Sequence, residues 1–176
     1  MYARLVGEAW EVLPAIVRAA HVPGVVRGRL DVRRGRGVLA RMLGVVLRFP
    51  VAGEAVPVRL EIAAEGDCLS WRRTFAEQTL VSRQEVRGDL LLESFGPFVC
   101  AFTVQATRVG IDYQQVRFGV RLGRWIAWLP RFISSRVEGR LHATGDAVAR
   151  VHVTMSAPIA GMLLSYEGEI AVEEGA

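Results

Sequence analysis

Between Val56 and Val172 the chain is a nearly unbroken succession of strand-length runs separated by short turns, a pattern that points to an antiparallel sheet. The runs fall near Val56–Ala64, Cys68–Phe75, Thr79–Arg87, Asp89–Phe95, Phe98–Thr107 and Ile111–Leu122. Three more follow near Arg136–Thr144, Val148–Met155 and Met162–Val172. Glu65-Gly66-Asp67, Gly88, Gly96-Pro97 and Gly110 separate them with residues that favour turns. A loop of Gly145, Asp146 and Ala147 predicts a hairpin that pairs His142 with Arg150 and Arg140 with His152, polar side out. One aromatic, proline-containing segment, Trp125–Ser134, interrupts the series. It predicts a helical turn that plugs one end of the sheet and joins the core, with a lid or portal over an apolar cavity, or a patch for a partner, as the alternative.

The first fifty-odd residues behave differently. From Leu5 to Ala19, Leu5, Val6, Ala9, Trp10, Leu13 and Ile16 recur at helical spacing, and Pro14 predicts a kink or a second short helix. Val25–Arg33 switches to period two, with Arg27, Arg29, Asp31 and Arg33 on one face and Val26, Gly28, Leu30 and Val32 on the other. A second helix from about Val38 to Arg48 is so apolar that it is expected to pack against something.

These elements predict an α+β chain, predominantly antiparallel β, forming a single domain over residues 1–176. The sheet is expected to curve strongly, or to close as a roughly ten-stranded lipocalin-like barrel with one or two N-terminal helices. A fold that wraps its sheet around a C-terminal helix fits less well, because Leu164, Tyr166 and Ile170 read as strand.

Composition narrows the chemistry. The mean hydropathy of +0.26 and 51% apolar content imply a large core or a greasy surface patch. The net charge is +4, and every basic residue apart from three histidines is arginine. Without lysine there is no Schiff-base or P-loop chemistry. Cys68 and Cys100 lack the spacing of a disulfide framework or zinc site, and read as free thiols. No apolar run reaches the ~18 residues of a membrane span, and charges interrupt the N-terminal apolar pattern, so a soluble cytoplasmic protein is expected.

Trp71-Arg72-Arg73-Thr74-Phe75 is the most informative stretch for function. Trp71, Arg73 and Phe75 share a strand face, and two large aromatics mark it as the inner one. A buried guanidinium needs a partner, and Glu93, on a face with Leu91 and Phe95, is the natural candidate. Such a pair either fixes strand register or leaves an arginine to hold a ligand's carboxylate or phosphate. Tyr113 and Tyr166 join Trp71, Arg73, Phe75 and Glu93 as candidate ligand-binding residues. His21, His142 and His152 are scattered and propose no metal site, and no Gly-x-Ser-x-Gly elbow or cysteine–base pair proposes a nucleophile.

The Trp-x-Arg-x-Phe run, Ser82, Glu93 followed by Gly96-Pro97, Pro158-x-x-Gly161 and Tyr166-x-Gly168 together resemble the family catalogued as domain of unknown function 4166. The opening segment with Trp10, Leu13, Pro14 and His21 is similar to that family's start, so the likeness covers nearly the whole chain. Members often follow a saccharopine-dehydrogenase-like nucleotide-binding domain. This chain has no Gly-x-Gly-x-x-Gly between a strand and a helix, so the resemblance implies no cofactor and brings no activity with it.

The sequence thus proposes a non-enzymatic binding module that holds a small apolar or amphipathic ligand in a barrel. An accessory or catalytic domain using the same pocket is the alternative. So is an interaction domain, for protein or nucleic acid, using the basic surface around Arg27–Arg36. The Arg27–Arg48 region holds seven arginines against Asp31 alone. No aromatic is interleaved there for base stacking, which disfavours nucleic acid, and the apolar second helix adds a membrane-surface reading, but the first reading of the stretch is a solvated strand face.

Overall fold

A computed structural model describes residues 1–172. Eleven strands lie in one sheet: β1 (Gly24–Arg34), β2 (Gly53–Glu65), β3 (Cys68–Phe75), β4 (Gln78–Arg87), β5 (Leu90–Phe95), β6 (Phe98–Ala106), β7 (Gly110–Leu122), β8 (Trp125–Trp128), β9 (Arg136–Ala143), β10 (Val148–Ala157) and β11 (Gly161–Val172). All pairings are antiparallel, and β6–β7 pairing together with β1–β11 pairing closes ten of the strands into a barrel. Closure removes the unpaired edges that an open meander would expose. β8 stands outside the ring as a flap on β7, whose other half pairs with β9 along the same edge.

The turns form where the backbone needs them. Gly66 and Gly96 adopt φ of +62° and +55°, values that cost a side-chain-bearing residue more than glycine. The expected β9–β10 register is present, with His142 opposite Arg150 and Arg140 opposite His152. Among the described residues, no helix is long and apolar enough to cross a membrane.

The N-terminal segment folds as α1 (Tyr2–Val6), a 3-10 turn (Gly7–Trp10) and α2 (Ala15–Ala19), so the second short helix expected at Pro14 is present, and the stretch before it breaks once more than the pattern predicts. Gly7, at φ +61°, breaks the first helix, and Pro14 precedes the second. Tyr2, Leu13, Ile16, Val17, Ala20 and His21 are all buried in the same core as the inner faces of the strands. The barrel therefore does hold helical material, drawn from the N-terminus, which the strand-like C-terminus did not reveal.

Strand alternation sorts the connections to two ends. The N-terminal helices and the β2–β3, β4–β5, β6–β7 and β9–β10 turns occupy one end, termed here the helical end. The opposite end carries α3 (Val38–Val46), the β3–β4, β5–β6 and β10–β11 turns, and the β7–β8–β9 excursion.

One expectation holds only in part at that second end, and one fails. α3 docks only through Ala40, Leu43, Gly44 and Leu47, whose spacing makes one narrow helical seam. Gly44 lets the Arg34 guanidinium lie against the helix, since an added Cβ would stand 2.2 Å from its Nη2. Val38, Leu39, Met42, Val45 and Val46 point outward instead of packing. Trp125–Ser134 likewise is not a core plug: it forms β8 and a turn closed by the Ser134 N–H donating to Pro130 O at 3.1 Å. Ile126 tucks in over an outer-face cluster of Leu92, Val99 and Ala101. Trp125 is 68% exposed and Phe132 74%.

Candidate functional site

β3 places Trp71, Arg73 and Phe75 on the inner face, as their alternation requires, and β5 places Glu93 opposite them across β4. Arg73 Nη2 donates to Glu93 Oε1 at 2.9 Å, and Arg73 Nη1 donates to Ser82 Oγ at 2.7 Å. Ser82 Oγ in turn donates to the same Glu93 oxygen at 2.6 Å. Burial by itself would lower the Arg73 pKa, but the Glu93 carboxylate more than offsets it, and the guanidinium stays charged. The charges cancel within the cluster, leaving a neutral, hydrogen-bonded knot inside the barrel.

The other candidates gather around this knot. The Arg73 guanidinium lies over the Trp71 ring, 4.9 Å from its centroid. Phe75 packs edge-on to Tyr166 with ring centroids 5.5 Å apart. Burial raises the Tyr166 pKa, with Arg73 opposing, so its phenol stays protonated. Tyr113 faces inward from β7 and stacks on His21 at 6.1 Å.

Sequence reasoning missed Tyr2, His21 and Gln84. His21 Nδ1 donates to Val17 O at 2.6 Å, because a carbonyl can only accept. Burial pulls the His21 pKa down to about 4, so the ring is neutral at pH 7 and Nε2 is left as an acceptor for the Tyr113 hydroxyl. Tyr2 donates to Gln84 Oε1 at 2.8 Å, and its oxygen stands 3.3 Å from that of Tyr113. Burial pushes both phenols upward and keeps them protonated. The only available signal was that Tyr2 and His21 flank an otherwise apolar helical pattern; nothing in the sequence gives their distance from Tyr113, over 90 positions away from each.

One polar atom in this region has no partner. Trp71 Nε1–H is buried and finds no acceptor among the described residues. Trp71 is itself 8% exposed, so bulk water does not readily supply one. Around it the inner wall is unevenly packed. Ile111, Leu91 and Cys100, on the inner face of β7, β5 and β6, are essentially inaccessible. Tyr166, Val153, Met155 and Phe95 are also on the inner face but lie toward the α3 end, and they remain partly exposed.

The remaining candidates sit elsewhere. His142 Nε2 contacts Asp112 Oδ1 at 2.8 Å and His152 Nδ1 contacts Glu167 Oε2 at 3.2 Å, both on the outer face. Among the described residues no group of His, Cys, Asp or Glu is arranged to hold a metal ion. Burial pushes the Cys100 thiol up, which suppresses its thiolate, and Cys68 Sγ accepts from Arg83 at 3.3 Å. Along β1 the outward Arg29 and Asp31 face Glu169 and Glu167 of β11, so acids are interleaved with that basic stretch.

The family described as Domain of unknown function (DUF4166) matches residues 13–170. No curated protein matches the chain.

Proposed function

We propose that this chain, which belongs to the family described as Domain of unknown function (DUF4166), is a binding module for a small amphipathic ligand held inside the barrel. The observation that carries this reading is the buried, unpartnered Trp71 Nε1–H beside a guanidinium already neutralised by Glu93. A buried donor without an acceptor costs about 1–3 kcal/mol, which a ligand oxygen would recover. Arg73 and Glu93 cancel, so an anionic head would meet the Glu93 carboxylate without a free counter-charge. A neutral acceptor such as a carbonyl, ester or ether oxygen suits the site better than the carboxylate or phosphate that an isolated arginine would invite.

The apolar remainder of the ligand would run toward the α3 end, along Phe75, Tyr166, Phe95 and Met155, where the inner wall is incompletely covered. Trp71, Arg73, Phe75, Glu93 and Tyr166 line that path. Tyr113 belongs to the His21 and Tyr2 side, where the chain's own N-terminus fills the space.

Native mass spectrometry of the protein purified from its own host should show a co-purifying adduct, and calorimetry should detect binding of methyl dodecanoate. Trp71→Phe keeps the ring and deletes only the N–H, and should weaken ester binding by about 5- to 150-fold. A wild-type protein that carries no adduct and takes up no ester sinks the proposal, as does a Trp71→Phe variant that binds undiminished.

A further inference from the structure

We propose that the α3 end of the barrel docks on the surface of an anionic lipid bilayer. Three features meet there. The first is apolar: α3 turns its small residues inward and Val38, Leu39, Met42, Val45 and Val46 outward. Val45 and Val46 are 73% and 75% exposed. Leu122, Trp125, Phe132 and Ile133 of the β7–β8–β9 excursion and Ile159 of the β10–β11 turn are exposed at the same end. Exposed apolar surface on this scale marks a binding face.

The second feature is charge. Arg36, Arg41, Arg48, Arg124 and Arg131 lie in the connections of this end, where the carboxylates are Glu77 and, one residue into β2, Glu54. None of these five arginines has a carboxylate partner among the described residues. The third is the flap. The Arg124 guanidinium lies over Trp125 and that of Arg117 over Trp128, at 5.0 and 5.8 Å from the ring centroids. Amphipathic tryptophans rimmed by cations suit the level of lipid headgroups.

This combination selects the occupant. Nucleic acid would satisfy the arginines but leave the valines of α3 against phosphate. A second copy meeting face to face would cover the valines but bring unpaired arginines against their like, because an isologous contact repeats one surface on itself. A bilayer with anionic headgroups accepts both, taking apolar side chains into the acyl boundary and arginines at the phosphates. The proposal stands whether or not the interior takes a ligand, although a face on the membrane would put the incompletely covered end of the barrel at a source of amphipathic molecules.

Flotation with phosphatidylcholine vesicles, with and without phosphatidylglycerol, tests it directly. The full chain should float with the anionic vesicles and much less with the neutral ones, and its tryptophan emission should shift to the blue, less so in Trp125→Phe. Val45→Asp should weaken flotation by about tenfold or more, and Arg36→Glu with Arg41→Glu by a similar factor. Val45→Ser, which cannot disturb the fold by charge, should weaken it in the same direction. Trp71→Phe should float like wild type, which separates this surface from the interior site. Absence of flotation at low salt overturns the proposal, and so does flotation that both Val45 variants leave unchanged. Concentration-dependent self-association in sedimentation equilibrium that Val45→Asp abolishes would assign the face to a second copy instead, and also overturns it.

Discussion

The two ends of this barrel are made from similar apolar material and use it in opposite ways. At the helical end the N-terminal segment sends Tyr2, Leu13, Ile16, Val17 and His21 inward, and every one is buried. At the other end α3 sends its larger residues outward and docks through alanine, glycine and two leucines. Charge divides the same way. Connections at the helical end carry Glu8, Glu11, Asp67, Asp89 and Asp146 against Arg4, Arg18 and Arg108, whereas those at the α3 end carry Arg36, Arg41, Arg48, Arg124 and Arg131 against Glu77. Hydrophobic content by itself therefore does not say which segment closes a barrel. What matters is whether the polar atoms that accompany it can be satisfied inside. Tyr2 and His21 can be, through Gln84, Val17 and Tyr113. The arginines around α3 cannot, and they hold that end in contact with solvent or a charged partner.

The Arg73–Glu93 pair lies between these regimes, and breaking it gives the largest expected effect. Glu93→Ala leaves a guanidinium with 13% of its side chain exposed and no carboxylate. The expected loss is about 3–5 kcal/mol in urea unfolding. Replacing both members, Arg73→Met with Glu93→Leu, should recover most of that, because the penalty comes from the orphaned charge. If the single variant loses less than about 1 kcal/mol, the pair is effectively solvated and the packed region ends before Arg73.

Next comes the pH dependence of the helical end. The folded state holds the His21 pKa near 4, below its ordinary 6.5. Between these values the unfolded chain binds the proton more readily, so stability is full above pH 6.5 and falls as the pH drops toward 4. The total attributable to His21 is about 3 kcal/mol, with a slope approaching 1.4 kcal/mol per pH unit. Thermal unfolding of wild type and His21→Gln across this window isolates the residue as a difference in slope; parallel curves would mean that the ring is not buried neutral. Tyr113→Phe, which strips the donor from His21 Nε2, should cost about 1–2 kcal/mol at pH 7.

How much of this could be read from the sequence follows from the range of the interactions. Apart from β8, the strands were legible to within about three residues at each end, because alternation and turn chemistry are local and repeat along each run. The Trp71–Arg73–Phe75 face and its Glu93 partner were legible for the same reason: once the strands are placed, the faces are fixed, and a buried arginine demands an acid. Tyr2–Gln84 and His21–Tyr113 span 82 and 92 positions and depend on how the N-terminal segment enters the barrel, which no periodicity encodes. The exposure of α3 and of Trp125–Ser134 was legible only as an alternative, because an apolar helix and an aromatic run look alike whether they face a core or a partner. The neighbouring arginines held the better signal.

The smallest expected effect is the most discriminating, because its sign differs between the two ends. Truncating a core valine such as Val17, which is 0% exposed, removes buried contacts and should cost at least about 1 kcal/mol. Val45→Ala with Val46→Ala removes more apolar volume but almost no buried contact, since both side chains stand in the open. Alanine is also the better helix former, by up to about 0.7 kcal/mol per residue in a helix interior, and less near the C-terminal turn of α3 where these two lie. The double variant should therefore be as stable as wild type or more so, by a few tenths to about 1 kcal/mol in urea unfolding. The same protein should bind anionic vesicles more weakly. A loss of stability above about 1 kcal/mol would show that the outer face of α3 is packed after all. A stable protein that no longer floats separates what α3 contributes to folding, through Ala40, Leu43, Gly44 and Leu47, from what it presents to a lipid surface.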